Sequence, residues 1–201
     1  MNVAVVKYNA GNICSVFNAL NRLGITPTVT DDDATLRQAD AVVFPGQGEA
    51  AKTMEYLRRK GLDQVITSLR QPVLGICIGM QLLCRHSEEG ETDCLGIFDV
   101  PVKRFQPTTH EFKIPHMGWN NITNLRSSLY LNIPESSYVY FIHSYFVPVC
   151  EHTIAASDYV VPFSASLHKD NFYATQFHPE KSGSIGQKLL ENFLNIARYA
   201  I

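Results

Sequence analysis

Two hydrophobic rhythms alternate through the first half of the chain. One is the short strand-forming run, mostly apolar: "VAVVKY" at residues 3–8, "TPTVT" at 26–30, "AVVFPG" at 41–46 and "PVLGI" at 72–76. The other is helical spacing. Ile13, Val16, Phe17, Leu20 and Leu23 recur every three or four residues between Asn12, which can cap a helix start, and Gly24, which can end one. "DDDATLRQ", "AAKTMEYLRRK" and "IGMQLLCR" continue the helical series. Strands that are apolar throughout are buried on both faces, so the alternation predicts a mostly parallel, twisted sheet flanked by helices.

The second half is richer in strands, with "LGIFDVPVKRF", "SYVYFIHSYFVP", "PFSASLHK" and "FYATQFHPE". It closes on "SIGQKLLENFLNIARYA", where Ile185, Leu189, Phe193 and Ile196 fall roughly on one helical face. The expectation is an α/β fold, a single domain over residues 1–201, whose parallel sheet gains antiparallel strands at one side. "QPTTHEFKIPHMGWNN" is the longest irregular stretch, and it is too apolar for a mere linker.

Composition narrows the function classes. A chain of 201 residues that is 45% hydrophobic can bury a sizeable core. Its net charge of -2 gives no electrostatic reason to expect nucleic acid or an anionic membrane as partner. The start "MNVAVVKYNAGN" lacks the basic region and apolar run of a secretion signal, and the most apolar stretch, Pro72 to Cys84, is too short to span a bilayer. Cysteines at 14, 77, 84, 94 and 150 are odd in number and irregularly spaced, which fits reduced thiols in a cytoplasm.

The candidate chemistry begins at "PVLGICIGMQ", where Cys77 sits between Gly75 and Gly79 as a strand gives way to a helix. Gly-x-Cys-x-Gly at such a junction has the build of a nucleophile elbow with sulfur in place of a hydroxyl. A helix N-terminus favours thiolate over thiol, and the N–H of Ile78 would face an oxyanion forming beside the sulfur. A buried structural cysteine would leave the same pentapeptide. In "ATQFHPEKS", Pro179 biases His178 toward extended backbone, in which Glu180 lies on the same side and can reach the imidazole. A surface turn after a strand is the bland alternative; with the elbow, Cys77, His178 and Glu180 read as a triad. "FPGQGE" could bring a second N–H, from Gln47 or Gly48, opposite that of Ile78. No phosphate loop is present, and Cys84, His86, Cys94, His110 and His116 match no metal-binding spacing, so neither metal nor cofactor is expected.

Taken together, "GICIGMQLL", "FPGQGE" and "QFHPEKS" resemble the class-I, triad-type glutamine amidotransferases, over essentially the whole chain. "PHMGWN" and "YFIHSY" resemble the branch whose glutaminase works with a cyclase in histidine biosynthesis. The resemblance implies that Cys77 attacks the glutamine carboxamide and that Gln81, Glu89, Ser144 and Tyr145 hold the amino-acid head group. It also implies a heterodimer with a (β/α)8-barrel cyclase, with Asn12, Pro115, His116, Met117, Trp119, Asn120 and Lys181 at the interface. A packed loop around Trp119 is the rival reading. "KYNAGN" departs from the family's usual Asp-Tyr-Gly-like start at Lys7 and Asn9, and Gln47 replaces a small aliphatic residue. A glutaminase serving another synthase, a catalytically silent module of the same fold and a thiol peptidase are the competing functions.

Overall fold

A computed structural model describes residues 1–8, 13–107 and 112–199. The elements of the first half are β1 (Val3–Val6), α1 (Ile13–Arg22), β2 (Thr28–Thr30), α2 (Asp33–Gln38), β3 (Ala41–Phe44), α3 (Ala50–Lys60), α4 (Leu62–Ser68), β4 (Val73–Ile76) and α5 (Ile78–Leu82). They are followed by β5 (Cys84–Ser87), β6 (Thr92–Asp93), β7 (Phe98–Arg104), β8 (His116–Ile122), β9 (Ser137–His143) and β10 (Tyr145–Phe146). The chain ends with β11 (Thr153–Tyr159), β12 (Val161–Lys169), β13 (Phe172–Thr175) and α6 (Gly183–Tyr199).

The main sheet has seven strands in the order β11-β12-β13-β4-β3-β1-β2. The five from β2 to β13 run parallel, while β12 and β11 are antiparallel additions at one side. Every residue of β1, β3 and β4 is buried, as their unbroken apolar runs require. The strand period of two divides them between two cores. Val3, Val5, Ala41 and Val43 pack with Leu20 of α1 and Phe193 of α6. Ala4, Val6, Val42 and Phe44 pack with Leu57 of α3 and Ile66 of α4 on the opposite face. On α6, Leu189 and Phe193 are buried and Ile185 and Ile196 lean on the same core, as their spacing predicts.

The structure departs from the sequence reading in three places. The helix expected through "IGMQLLCR" stops at Leu82, and Cys84 heads β5 instead. The physical reason is long-range capture: the carbonyls of Leu82, Leu83 and Cys84 accept from the N–H groups of Leu95, Phe98 and Gly96, so the helical ladder cannot continue through them. With β6, β7 and β10, β5 builds a separate four-stranded sheet. In the stretch read as irregular, residues 116–122 form β8, which pairs residue for residue with β9 as a two-stranded ribbon. Helix α4 also went unread. It follows α3 directly because Gly61 adopts a left-handed backbone and donates to the carbonyls of Arg58 and Leu57. Among the described residues no helix is long and apolar enough to cross a membrane, and all five cysteines are free.

Candidate active site

Cys77 lies between β4 and α5 with φ 53° and ψ -109°, a backbone conformation that a residue with a side chain adopts only at a cost. Its surroundings hold it there. The Cys77 N–H donates to the Thr175 carbonyl at 2.7 Å, tying the turn to β13. The neighbouring glycines serve close approach rather than φ. A Cβ on Gly79 would stand 3.1 Å from the Phe44 carbonyl carbon, and one on Gly46 would lie 2.7 Å from the Gly79 nitrogen. The "FPGQG" turn is therefore pressed onto the elbow, and the buried Tyr8 hydroxyl fastens it by donating to the Pro45 carbonyl. As first residue of α5, Ile78 has an N–H with no intrahelical acceptor.

His178 reaches this sulfur from the far end of β13. Its N–H donates to the Tyr140 carbonyl at 2.9 Å, and its own carbonyl accepts from the Ser182 hydroxyl at 2.7 Å. Pro179 does not continue the strand, as the sequence reading assumed; residues 179–181 form a 3-10 turn. Glu180 still meets His178, Oε1 to Nδ1 at 2.7 Å, with both side chains almost fully buried. The turn does what strand alternation was expected to do. Burial would lower the His178 pKa, but the neighbouring Cys77 sulfur and the Glu180 carboxylate outweigh it and raise it to about 10. Nε2, the ring nitrogen not engaged by Glu180, is buried and has the Cys77 sulfur as its neighbour. This environment favours the protonated imidazole.

A cleft of about 420 Å³ opens over Cys77 and His178. Its lining includes Gln47, Gly48, Ile78, Gln81, Glu89, Ser144 and Tyr145, all anticipated from the sequence, with Pro115, Ile142 and His143 added by the fold. Gln81 is buried, and its Nε2 already donates to the Tyr145 carbonyl at 3.0 Å and to Gln176 Oε1 at 2.9 Å. Only its oxygen remains for a ligand, which suits an ammonium group. Glu89 accepts from the Ala50 N–H at 2.8 Å at the start of α3 while facing the cleft, and burial pushes its pKa up. The Tyr145 carbonyl is occupied, since His143 Nδ1 donates to it at 2.7 Å in addition to Gln81.

Gln176 was missed. Its Nε2 lies 3.7 Å from the Cys77 sulfur, although its position two before His178 in an extended run put it on the same side. His143 was missed as a site residue because a histidine inside an apolar strand gives no outward sign of its hydrogen bonds.

The residues expected at a partner surface divide. Met117 and Trp119 are 58% and 55% exposed on the outer face of the ribbon, which rules out core packing for Trp119. The Trp119 ring meets Tyr140 edge-on at 6.1 Å, and Lys181 Nζ lies over the same Tyr140 ring at 5.9 Å. Pro115 is exposed at the cleft, and Asn120 is half buried with its amide donating to the Asp158 carbonyl. His116 corrects the reading. It points inward, stacked on Tyr159 at 3.9 Å, because strand alternation puts it on the face opposite Met117. Asn12 and Asn9 lie outside the described residues, as does His110; Lys7 is exposed and pairs its backbone with Thr30. Among the described residues no three His, Cys, Asp or Glu side chains come together as metal ligands.

The model of the class-I glutamine amidotransferase family matches residues 5–197. The chain belongs to this family. A relative named imidazole glycerol phosphate synthase subunit HisH, from Bacteroides thetaiotaomicron, is 62% identical over 98% of this chain and 100% of its own length. The protein of the same name from Yersinia pseudotuberculosis is 46% identical with the same coverage of both, 98% and 100%. Among solved structures, a glutamine amidotransferase superposes with a TM-score of 0.73 at 20% identity, over 97% of this chain and 98% of its own. A glutamine amidotransferase from Thermotoga maritima superposes with a TM-score of 0.63 at 15% identity, over 100% and 85%. These two bear on the fold alone: the family's α/β architecture, with a mostly parallel sheet extended by antiparallel strands.

Proposed function

We propose that this chain is the glutaminase subunit of an imidazole glycerol phosphate synthase and acts in histidine biosynthesis. In this reading it hydrolyses glutamine to glutamate and ammonia and passes the ammonia to a (β/α)8-barrel cyclase bound as a heterodimer. The observation that carries the chemistry is the meeting of Cys77 and His178 in one cleft, with Glu180 bonded behind the imidazole at 2.7 Å. The 62% identity to a named HisH subunit supports the pathway.

Cys77 Sγ attacks the side-chain carboxamide carbon of glutamine, and the carbonyl oxygen takes the negative charge. The Ile78 N–H and one from Gln47 or Gly48 receive that oxyanion, each such donor being worth about 3 kcal/mol of barrier. His178, held protonated by its neighbours, gives its Nε2 proton to the nitrogen, the C–N bond breaks and ammonia leaves a thioester. The neutral imidazole then removes a proton from water, whose oxygen displaces the thiolate and releases glutamate. The Gln81 oxygen and the Glu89 carboxylate would hold the substrate ammonium, with Ser144 and Tyr145 closing the head-group site.

Ammonia is mostly protonated at neutral pH and is then no nucleophile, which gives the complex its purpose. The cyclase would use the free base on a phosphoribulosyl-linked aminoimidazole, yielding imidazole glycerol phosphate and an aminoimidazole carboxamide ribotide. The exposed Met117 and Trp119 supply an apolar anchor for that partner, on a ribbon whose end opens at the cleft through Pro115 and Ser144. Glutamine turnover measured with and without cyclase and its nucleotide should rise sharply with both; equal turnover rejects coupling. Cys77→Ala should abolish glutamine-dependent synthesis in the complex while synthesis from added ammonia persists. Retained glutamine use would reject the nucleophile.

A further inference from the structure

The sulfur of Cys77 has two further polar neighbours, both at 3.7 Å: the Ile142 carbonyl oxygen and Gln176 Nε2. A thiol can donate to the first, but a thiolate cannot, and the carbonyl then opposes its charge. The Gln176 amide has the opposite sense, since its N–H favours the anion. The side chain is wholly buried, so no water competes for that donor.

What makes Gln176 present nitrogen rather than oxygen is a chain of bonds whose direction one backbone carbonyl decides. The Tyr145 carbonyl can only accept. It takes an N–H from Gln81 at 3.0 Å, which requires Nε2 of Gln81 on that side. The second Nε2 hydrogen of Gln81 goes to Gln176 Oε1 at 2.9 Å, which leaves Nε2 of Gln176 facing the sulfur. Turning either amide over would set two like atoms against each other. The same carbonyl fixes a second branch. His143 Nδ1 donates to it at 2.7 Å, so His143 Nε2 must accept, and it does so from His116 Nδ1 at 3.0 Å. His116 lies on the inner face of the ribbon, one residue from Met117.

We propose that Gln176 is a further catalytic residue of this site, an N–H donor that holds Cys77 as thiolate, and that Gln81 and His143 are positioning residues that aim it through the Tyr145 carbonyl. The proposal rests on the reading of Cys77 as nucleophile and extends it. Gln81 then has a structural duty toward the sulfur apart from any contact with substrate.

The test follows Cys77 carboxamidomethylation by iodoacetamide against pH, read by mass spectrometry of its own peptide and without glutamine present. Gln176→Glu keeps the shape and the acceptor for Gln81 but removes the N–H and adds charge. Its alkylation midpoint should move up by about one pH unit, slowing labelling at neutral pH about tenfold. Gln176→Met and Gln81→Met should move it the same way by less, and the double variant should show no more than Gln176→Met alone. His143→Leu should give a smaller upward shift that His143→Asn, whose amide can replace Nδ1–H, restores. In the complex, Gln176→Glu should lower kcat for glutamine about tenfold with KM little changed. An unmoved midpoint in Gln176→Glu overturns the proposal, and so does a fall in Tm in the Met variants with no shift in midpoint, since that describes packing alone. Glutamine hydrolysis by the unaltered complex is run alongside. If that is absent while the midpoints shift, the functional reading fails and the thiolate-holding role stands.

Discussion

The elbow around Cys77 and the β8–β9 ribbon sit on either side of one cleft and are built on opposite rules. At the elbow backbone lies against backbone: Gly79 faces the Phe44 carbonyl and the Cys77 N–H is bonded to Thr175. The fully buried strands β3 and β13 on either side of β4 leave the turn little room to relax. The ribbon buries only its inner face, where His116, Val139 and Phe141 pack, and turns Met117, Trp119 and Tyr138 outward. Its apolar residues are on the wrong side for folding and on the right side for a partner. Rigid packing suits the proposed nucleophile, and an unsatisfied apolar face suits the proposed docking. His178 joins the two, because its backbone hangs from Tyr140 of the ribbon while its ring serves the elbow.

Three substitutions break this contrast at different strengths. Glu180→Gln should have the largest effect. Without the carboxylate the His178 pKa falls from about 10, and the ring loses the partner that sets its tautomer. Glutaminase activity in the complex should drop by about 10²–10⁴, and NMR titration of the imidazole should show the lowered midpoint. The sign for stability follows. A raised folded pKa means that the contribution of His178 is complete below the ordinary 6.5 and is lost as pH rises toward 10. In Glu180→Gln that contribution should be smaller and its loss complete at lower pH, as urea melts across the range would report.

Gly79→Ala comes next. The new methyl meets main chain that cannot move without shifting β3, so unfolding free energy should fall by about 3 kcal/mol or more. A chemical denaturation midpoint close to that of the unaltered chain would show that the elbow is looser than described. Trp119→Ala should be the mildest and the most selective. Stability should stay within about 0.5 kcal/mol because the ring is half out in solvent, while cyclase binding weakens about thirtyfold. Calorimetry against the cyclase measures this, and unchanged affinity would remove Trp119 from the interface.

The same contrast explains what could be read in advance. Parallel strands buried on both faces write themselves as unbroken apolar runs, so β1, β3 and β4 and the elbow that follows were legible from the residues. β8 was not. Its inner position holds a histidine and its outer ones a methionine and a tryptophan, which inverts the usual code, and only its pairing with β9 reveals it. The end of α5 was equally hidden, because the carbonyls that stop it are taken by N–H groups from Leu95 to Phe98. Within the site, Cys77, His178 and Glu180 announced themselves through local motifs. Gln176 stood inside one of those motifs, yet its amide becomes meaningful only once Gln81 and the Tyr145 carbonyl orient it.

By itself the order of residues determined the layered α/β arrangement, the turn that lifts Cys77 and the short segment that couples His178 to Glu180. These depend on periodicity and on neighbours a few residues apart. Only the tertiary structure decided that the imidazole reaches the sulfur, that His116 turns inward while Trp119 turns outward, and which atom of Gln176 the Cys77 sulfur meets. Those outcomes are set by hydrogen bonds between residues far apart in the chain, whose direction is undefined until folding brings the partners together.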